Sequence, residues 1–365
     1  MLALRARALA PEFLPAVELA ARLDLVDGED RKAFSDLAAL VRRSGKDPAA
    51  LLVLARVLGA AGRFSQALQS IDQALAQSPG SSEARALRRE CLFSLGRFAE
   101  SWDDAVETTQ AIAAVVIPAT MPIGEIILSA RFLPGLAEGR EAPLPVWAHP
   151  EISPLLAGVP GISHAESDRA ASPDSLLLPE IMAYLRIEAV TDGACPPYLL
   201  PDAARLDAWR QALAILPGPR IGILWHPGQR GVDLLSLVEA VRQFGTPLSL
   251  AVGELRHELE AHPDVIDAGL NIAEPQDLLA AIAALDMVVA PDSLAAHLAG
   301  ALGRPAVVFV PAGRHWAWAE QAGRSLWYPT VDVLTQAKPG DWTDVRARLA
   351  PTLAAVLARP AGAPT

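Results

Sequence analysis

Apolar residues in the first third of the chain recur at three- and four-residue steps, the spacing of one face of an α-helix. The clearest run is Leu51, Leu54, Ala55 and Leu58. The triplet Gly62-Arg63-Phe64 returns 34 residues later as Gly96-Arg97-Phe98. Glycine suits a tight turn between two helices, so the pattern predicts helix pairs that repeat with this period.

A 34-residue helix–turn–helix period resembles the tetratricopeptide repeat. We expect about three repeats between roughly residues 15 and 112, the first of them degenerate, and we assign residues 1–112 to this repeat domain. Such repeats can form a concave surface that holds a peptide or a protein. Three repeats form only a short groove, so the alternative to a binding surface is that the repeats serve as a short packing or dimerisation spacer.

From residue 113 onward, short apolar runs alternate with helical stretches. This alternation predicts parallel sheets covered by helices, and a Pro-rich stretch at 196–201 divides it into two halves. We therefore expect two α/β lobes, at residues 113–201 and 202–365, with a cleft between them. In open sheets of this kind, ligands bind outside the carboxyl ends of the strands.

Charge and composition narrow the function classes. The chain has 31 Lys and Arg against 42 Asp and Glu, a net charge of −11, which disfavours nucleic acid or an anionic membrane as partner. Cys91 and Cys195 form neither a zinc spacing nor a disulfide framework. We find no signal peptide and no apolar stretch of about 18 residues. We therefore expect a cytoplasmic protein without a membrane span, and leave its oligomeric state open.

The strongest candidate for a functional site follows the apolar run directly after Asp286. The run delivers Asp292 and Ser293 to the start of a predicted helix, and His297 follows one turn later on the same face. Unpaired amides at a helix start, together with a hydroxyl, can bind a diphosphate. The alternative is structural: Asp292 or Ser293 caps the helix, and His297 is a packed histidine.

The string from Pro291 to Pro305 resembles the nucleotide-sugar motif of heptosyltransferase-like glycosyltransferases of the GT-B fold. The string from Trp316 to Trp342 resembles a bacterial subgroup with N-terminal tetratricopeptide repeats. Further matches are Arg220–Trp225 and Gly124–Pro134, and the resemblance covers roughly residues 45 to 358. It implies α-helical repeats followed by two Rossmann-like lobes.

The resemblance also implies an activity: metal-independent transfer of a sugar from a nucleotide-sugar to a hydroxyl, on a glycan or on a protein held by the repeats. A flagellin-type acceptor is permitted but not singled out. The nucleotide-sugar is the substrate, and no cofactor is implied. Asp292, Ser293 and His297 fall on the donor positions. Trp327 and Tyr328 border the base or the acceptor in this interpretation, or else form hydrophobic cover.

Two departures from the family pattern concern catalysis. The first βα loop of the family carries a Gly-Asp pair whose Asp is the proposed base, whereas this chain has Gly124-Glu125. Glu125 is our candidate base and Gly124 a donor contact; alternatively, Glu125 only favours the helix start.

After Trp225 the family has an Arg-containing stretch that neutralises phosphate. Here the stretch contains His226, the second candidate base, and Arg230, which either binds donor phosphate or is an ordinary solvated loop residue. These departures keep a second function open, a catalytically retired GT-B fold that acts as a protein-binding scaffold.

Overall fold

The computed structural model describes residues 13–102, 112–166, 174–227 and 231–359. By their contacts, the described residues form two compact units. The first unit combines the stretch that ends at Ser101 with Val310–Glu320 and Thr335–Val345. The second unit combines Trp102–Phe309, Gln321–Leu334 and the stretch that begins at Arg346. The boundaries at residues 112 and 201 stay predictions.

Helices that follow one another along the chain make up most of the first unit. Its helices are α1 (Leu14–Val26), α2 (Asp30–Arg43), α3 (Pro48–Ala60), α4 (Phe64–Gln77) and α5 (Ser82–Ser94). Their apolar faces share one core, which includes Leu37, Leu51 and Ile71. Gly62 and Gly96 lie in turns at helix ends, as the repeat pattern predicts.

Gly62 shows why glycine is required in the turn between α3 and α4. Its φ of +72° lies in the left-handed region, and a Cβ there would lie 2.6 Å from the carbonyl oxygen of Ala312. Gly313, the next residue of that segment, similarly approaches the backbone of Ala60. The Trp316 ring completes the contact edge-on to Phe93, with 5.1 Å between the ring centres. The 310–320 segment therefore packs into the first unit, which the repeat pattern does not predict.

Two largely parallel sheets organise the α/β part. The first has the order β3-β2-β1-β4 and contains β1 (Ala114–Val116), β2 (Leu144–Ala148), β3 (Ile162–Glu166) and β4 (Ser175–Leu177). All of its pairs are parallel. It is flanked by short helices: α6 (Ile123–Ala130), α7 (Leu133–Ala137), α8 (Ser153–Leu156) and α9 (Ile181–Tyr184).

The second sheet has the order β10-β11-β12-β9-β8-β5-β6-β7. Its strands are β5 (Arg220–Ile223), β6 (Thr246–Ser249), β7 (Ile266–Asp267), β8 (Met287–Pro291), β9 (Ala306–Val310), β10 (Glu320–Gln321), β11 (Arg324–Ser325) and β12 (Val331–Thr335). Pairing from β7 through to β9 is parallel, and β11 pairs antiparallel with β12. The helices are α10 (Ala203–Leu213), α11 (Leu234–Val241), α12 (Pro275–Ala284), α13 (Leu294–Ala301) and α14 (Thr343–Leu357).

Local chemistry explains where the elements differ from the periodicity. The pattern predicts one helix over 124–136, but the structure has α6 and α7 with a break at Arg131 and Phe132. Pro134 lies in the first turn of α7, where its missing N–H costs nothing, but it would interrupt a continuous helix. The pattern also predicts an α-helix over Glu254–Ala261, but these residues lie in the 3₁₀ segment Gly253–Ala261. Within the described ranges, no helix is both long and apolar enough to cross a bilayer.

Candidate functional site

The strand β8 delivers the strongest candidate residues to one edge of the second sheet. All five of its residues are buried, and the chain leaves the sheet at the exposed Asp292. Ser293 is the N-cap of α13: its Oγ accepts from the backbone N–H of Ala296 at 3.3 Å and donates to the Pro291 carbonyl at 2.9 Å. The capping interpretation therefore accounts for the contacts of Ser293, and it leaves Asp292 at the surface beside the helix start.

His297 lies one turn into α13 and is only 4% exposed. Its Nδ1 is 3.0 Å from the hydroxyl oxygen of Tyr328. Its Nε2 is 3.5 Å from Oδ1 of Asp292. The ring is thus packed, as the structural alternative expects, and both of its nitrogens face polar groups.

Gly124, in the first turn of α6, packs directly against this histidine. A Cβ at Gly124 would lie well under 3.0 Å from Nε2 of His297, so only glycine permits the approach. The contact brings together two sequence-predicted donor residues that are far apart in the chain. Glu125 follows Gly124, is half-buried, and lies at the positive end of α6.

Trp327 and Tyr328 are not at a surface. Both side chains are fully buried. The Trp327 ring meets Phe132 edge-on at 6.4 Å, and its carbonyl accepts from Arg131 at 2.6 Å. The expectation that Trp327 borders the base or the acceptor is therefore not met in this structure, because its side chain offers no exposed atom. The hydroxyl of Tyr328 is hydrogen-bonded to Nδ1 of His297.

His226, just beyond β5, is half-buried, and this burial lowers the pKa of its imidazole below 6.5. Its ring packs edge-on against Phe309 at 5.3 Å. Its Nδ1 accepts from the Val232 N–H at 3.4 Å, so the neutral ring carries its proton on Nε2. The nitrogen that could act as a base is already engaged, which makes His226 a weaker base candidate than Glu125. Arg230 lies outside the described residues.

Two buried residues of this region escaped the sequence-based assignment of site residues. Tyr198 donates its hydroxyl proton to the Ile127 carbonyl at 3.1 Å. Arg131 is 3% exposed and donates to the carbonyls of Trp327 and Ala194. Tyr198 sits in the Pro-rich stretch interpreted as a linker, and Arg131 appeared only inside a matching string. A polar aromatic residue within an otherwise apolar linker was the one available signal.

Among the residues that the structure describes, no three His, Cys, Asp or Glu side chains cluster in a way that could hold a metal ion. Metal independence stays a prediction. The polar groups that the structure does bring together are the Asp292 carboxylate, the His297 ring and the Tyr328 hydroxyl.

The tetratricopeptide repeat model matches residues 27–91 and 58–101. A search of curated proteins finds Protein FlbA of Caulobacter vibrioides, 27% identical over 94% of this chain. The match covers 62% of FlbA, so the chain spans less than two thirds of that relative's length.

Among solved structures, the glycosyl transferase family 9 protein of Veillonella parvula matches with a TM-score of 0.51 and 11% identity. The match covers 69% of this chain and 99% of that one. The ADP-heptose lipopolysaccharide heptosyltransferase II of E. coli matches with a TM-score of 0.46 and 15% identity, over 67% of this chain and 98% of that one. The chain joins tetratricopeptide repeats to a GT-B glycosyltransferase fold. Both parts of the expected fold class are thereby confirmed.

Proposed function

We propose that the chain transfers a sugar from a nucleotide-sugar to a hydroxyl acceptor, without a metal ion. One observation carries the proposal: Asp292, Ser293 and His297 lie at the carboxyl end of the buried strand β8, in contact with the helix that bears Glu125. This is the edge at which open α/β sheets bind ligands. The GT-B fold supports the reaction class.

In the proposed reaction, the first turn of α13 binds the diphosphate of the donor. Amides at a helix start carry partial positive charge and suit phosphate oxygens. Glu125 takes the proton of the acceptor hydroxyl while the acceptor oxygen bonds to the sugar carbon. The bond from that carbon to the diphosphate breaks at the same time. The charge that develops on the diphosphate is stabilised by the amides at the start of α13.

A protein acceptor is the second part of the proposal, supported by the repeats. The first unit contains a cavity of about 380 Å³ along α3, α4 and α5. Its lining combines apolar side chains with arginines, including Leu87, Trp316, Arg56 and Arg314. These arginines are already paired with carboxylates of the same chain, so the lining offers an extended peptide mainly its apolar side chains.

A thermal-shift panel of nucleoside diphosphates and nucleotide-sugars, with and without EDTA, tests donor binding. A ligand at 100 times its dissociation constant stabilises the folded state by about 2.7 kcal/mol when it binds only that state. We expect one nucleotide class to stabilise the wild type equally with and without EDTA. No shift with any nucleotide, or a shift that EDTA abolishes, would contradict the proposal.

The retired scaffold remains the second candidate, and one contact favours it. Gly124 packs so tightly on Nε2 of His297 that no ligand atom fits between α6 and that nitrogen in this structure. Nucleotide binding without release of the sugar, measured over hours with candidate protein acceptors, would identify the scaffold. Donor hydrolysis or sugar transfer would identify the enzyme.

A further inference from the structure

The Pro-rich stretch at 196–201, expected to divide two lobes beside a cleft, is hydrogen-bonded to helices of both sheets. The hydroxyl of its buried Tyr198 donates to the Ile127 carbonyl, in α6, at 3.1 Å. The backbone N–H of Tyr198 donates to the Ala301 carbonyl, at the end of α13, also at 3.1 Å. A single residue of the stretch therefore joins a helix that flanks the first sheet to a helix of the second.

Arg131, directly after α6, makes a second connection of this kind. Its buried guanidinium donates to the Trp327 carbonyl at 2.6 Å and to the Ala194 carbonyl at 3.3 Å. Its own carbonyl accepts from the Ala194 N–H at 2.9 Å. Hydrogen bonds from a charged donor are stronger than those between neutral groups, so α6 is held firmly at this end. We call these bonds of Arg131 and Tyr198 the α6–α13 seam.

Two further contacts cross between the same parts of the chain. Gly124 of α6 packs on the His297 ring of α13. The side-chain amide of Gln276, in the first turn of α12, donates to the Pro154 carbonyl in α8. By their contacts, the residues on both sides of the Pro-rich stretch fall within one compact unit. A movement that opened a cleft at this stretch would have to break the seam and these contacts together.

We propose that Arg131 and Tyr198 are positioning residues: they fasten α6 to α13, so that Glu125 and the start of α13 keep one separation whether or not a ligand is bound. The inference rests on the proposed function for the roles of Glu125 and the α13 start, but not for the fastening. Fixed separation matters for transfer, because a misplacement of about 1 Å can cost about 10²-fold in rate. The Pro-rich stretch thus acts as a clamp and not as a hinge.

Hydrogen exchange of the ligand-free full chain, resolved at single amides by NMR, tests the fastening. The Tyr198 N–H is bonded to α13, so it can exchange only when the seam opens. We expect it to exchange as slowly as the buried amides of β8. Fast exchange at Tyr198 beside slow exchange in β8 would overturn the proposal, because it would show that the two parts separate there. Slowing by UDP or ADP at Tyr198 but not in β8 would also overturn it, because it would show closure on the ligand.

Three variants of the seam separate fastening from a general loss of stability. Arg131→Met removes both carbonyl bonds, whereas Arg131→Lys keeps the charge and one donor. We expect Arg131→Met to speed exchange at residues 194 and 198 by about tenfold or more relative to β8, with Arg131→Lys in between. Tyr198→Phe loses one neutral hydrogen bond and should show a smaller increase, which keeps the test open where Arg131→Met does not fold.

Two matched controls accompany these variants. Arg140→Met, at an exposed arginine with one backbone bond, and Tyr184→Phe should change nothing at residues 194 and 198. Exchange that stays at the wild-type rate relative to β8 in all three seam variants would overturn the fastening.

Kinetics with the nucleotide-sugar identified by thermal shift test the positioning. The seam meets α13 at Ala301, at the opposite end from Ser293, so the donor dissociation constant should stay unchanged. Arg131→Met should lower kcat by about tenfold to a hundredfold, and Arg131→Lys should recover part of it. A weaker donor with unchanged kcat would refute the positioning role. Should the wild type show no transfer, the proposed function fails and the positioning role with it, whereas exchange at the seam still decides the fastening.

Discussion

Two strand-to-helix junctions of the second unit carry the candidate chemistry, and they are built in different ways. At the junction of β8 and α13, polar side chains make the defining contacts. Ser293 caps the helix, and His297 is hydrogen-bonded to the Tyr328 hydroxyl. At the junction of β1 and α6, the strand has three residues, and the helix begins at Ile123 after Pro122, which provides no side-chain cap. Its contribution is shape at Gly124 and one carboxylate at Glu125.

The difference teaches which kind of change each junction tolerates. At the junction of β8 and α13, stability and binding should change when hydrogen bonds are lost. They should not change when an exposed side chain is replaced by one of a different size. The junction of β1 and α6 should respond to added volume at Gly124. Only at Glu125 should it lose chemistry without losing stability. Each prediction below tests one side of this contrast.

The largest effect is expected at Glu125. General base catalysis contributes about 10²–10⁴-fold, so Glu125→Gln should lower turnover by about that factor and leave donor affinity unchanged, because the amide keeps the shape but cannot take the proton. Steady-state kinetics with the nucleotide-sugar identified by thermal shift measure it. Glu138→Gln, at an exposed carboxylate just beyond α7, is the control. Turnover within a few-fold of wild type would exclude Glu125 as the base.

The next effect should be steric. Gly124→Ala places a methyl group against the His297 ring, which cannot move freely because Tyr328 holds it. Overpacking of this kind costs about 1–3 kcal/mol of unfolding free energy, measured by chemical denaturation. Gly135→Ala, inside α7 with open space around it, should be neutral or slightly stabilising. Equal effects of the two substitutions would show that α6 does not pack on α13 as described.

A smaller effect is expected at the helix cap. Ser293→Ala removes the cap of α13 and should cost about 1 kcal/mol of stability. Ser293→Asp keeps a capping oxygen and should retain near-wild-type stability, but its negative charge should repel a diphosphate. Denaturation and nucleotide titration of the same two proteins separate the roles. Diphosphate binding that survives in Ser293→Asp would place the donor elsewhere.

The smallest effect concerns His226, outside both junctions. Burial lowers its pKa below 6.5, so the unfolded chain binds this proton more readily than the folded one. The contribution to stability is therefore present above about pH 6.5 and is lost as the pH falls through the folded-state pKa. Since the ring is half-exposed, we expect less than about 1 kcal/mol. His226→Gln should flatten that part of the stability curve relative to wild type, and His149→Gln, at an exposed histidine, should not.

Local patterns explain why one junction could be predicted better than the other. The apolar run before Asp292 and the small polar residues after it specify a buried strand and a helix start, and the structure has both. The repeat glycines likewise predict turns, and the structure places Gly62 and Gly96 in turns with a positive φ. In contrast, the contacts of Arg131 with Trp327 and of Gly124 with His297 join residues more than a hundred positions apart, and no local spacing encodes them.

The same limit applies to Trp327 and Tyr328. Their position in a matching string predicts a ligand border, but residue type does not tell an exposed aromatic ring from a buried one. Trp327 is buried because it packs against Phe132 and Arg131. These two residues lie between α6 and α7, which flank the first sheet. The break between α6 and α7 was open to prediction, since Pro134 stands inside the expected helix.

The packing of residues 310–320 against α3 and α5 has a consequence for anyone who rearranges this protein. The first unit is encoded by three separate stretches, so no single cut in the gene isolates it. Deleting the repeats would remove Phe93, which packs against Trp316, and the backbone of Ala60, which packs against Gly313. Transplanting repeats from another protein would meet the same obstacle, since the incoming helices would need a glycine turn shaped for Ala312. Repeats and their anchoring segment therefore have to be exchanged together.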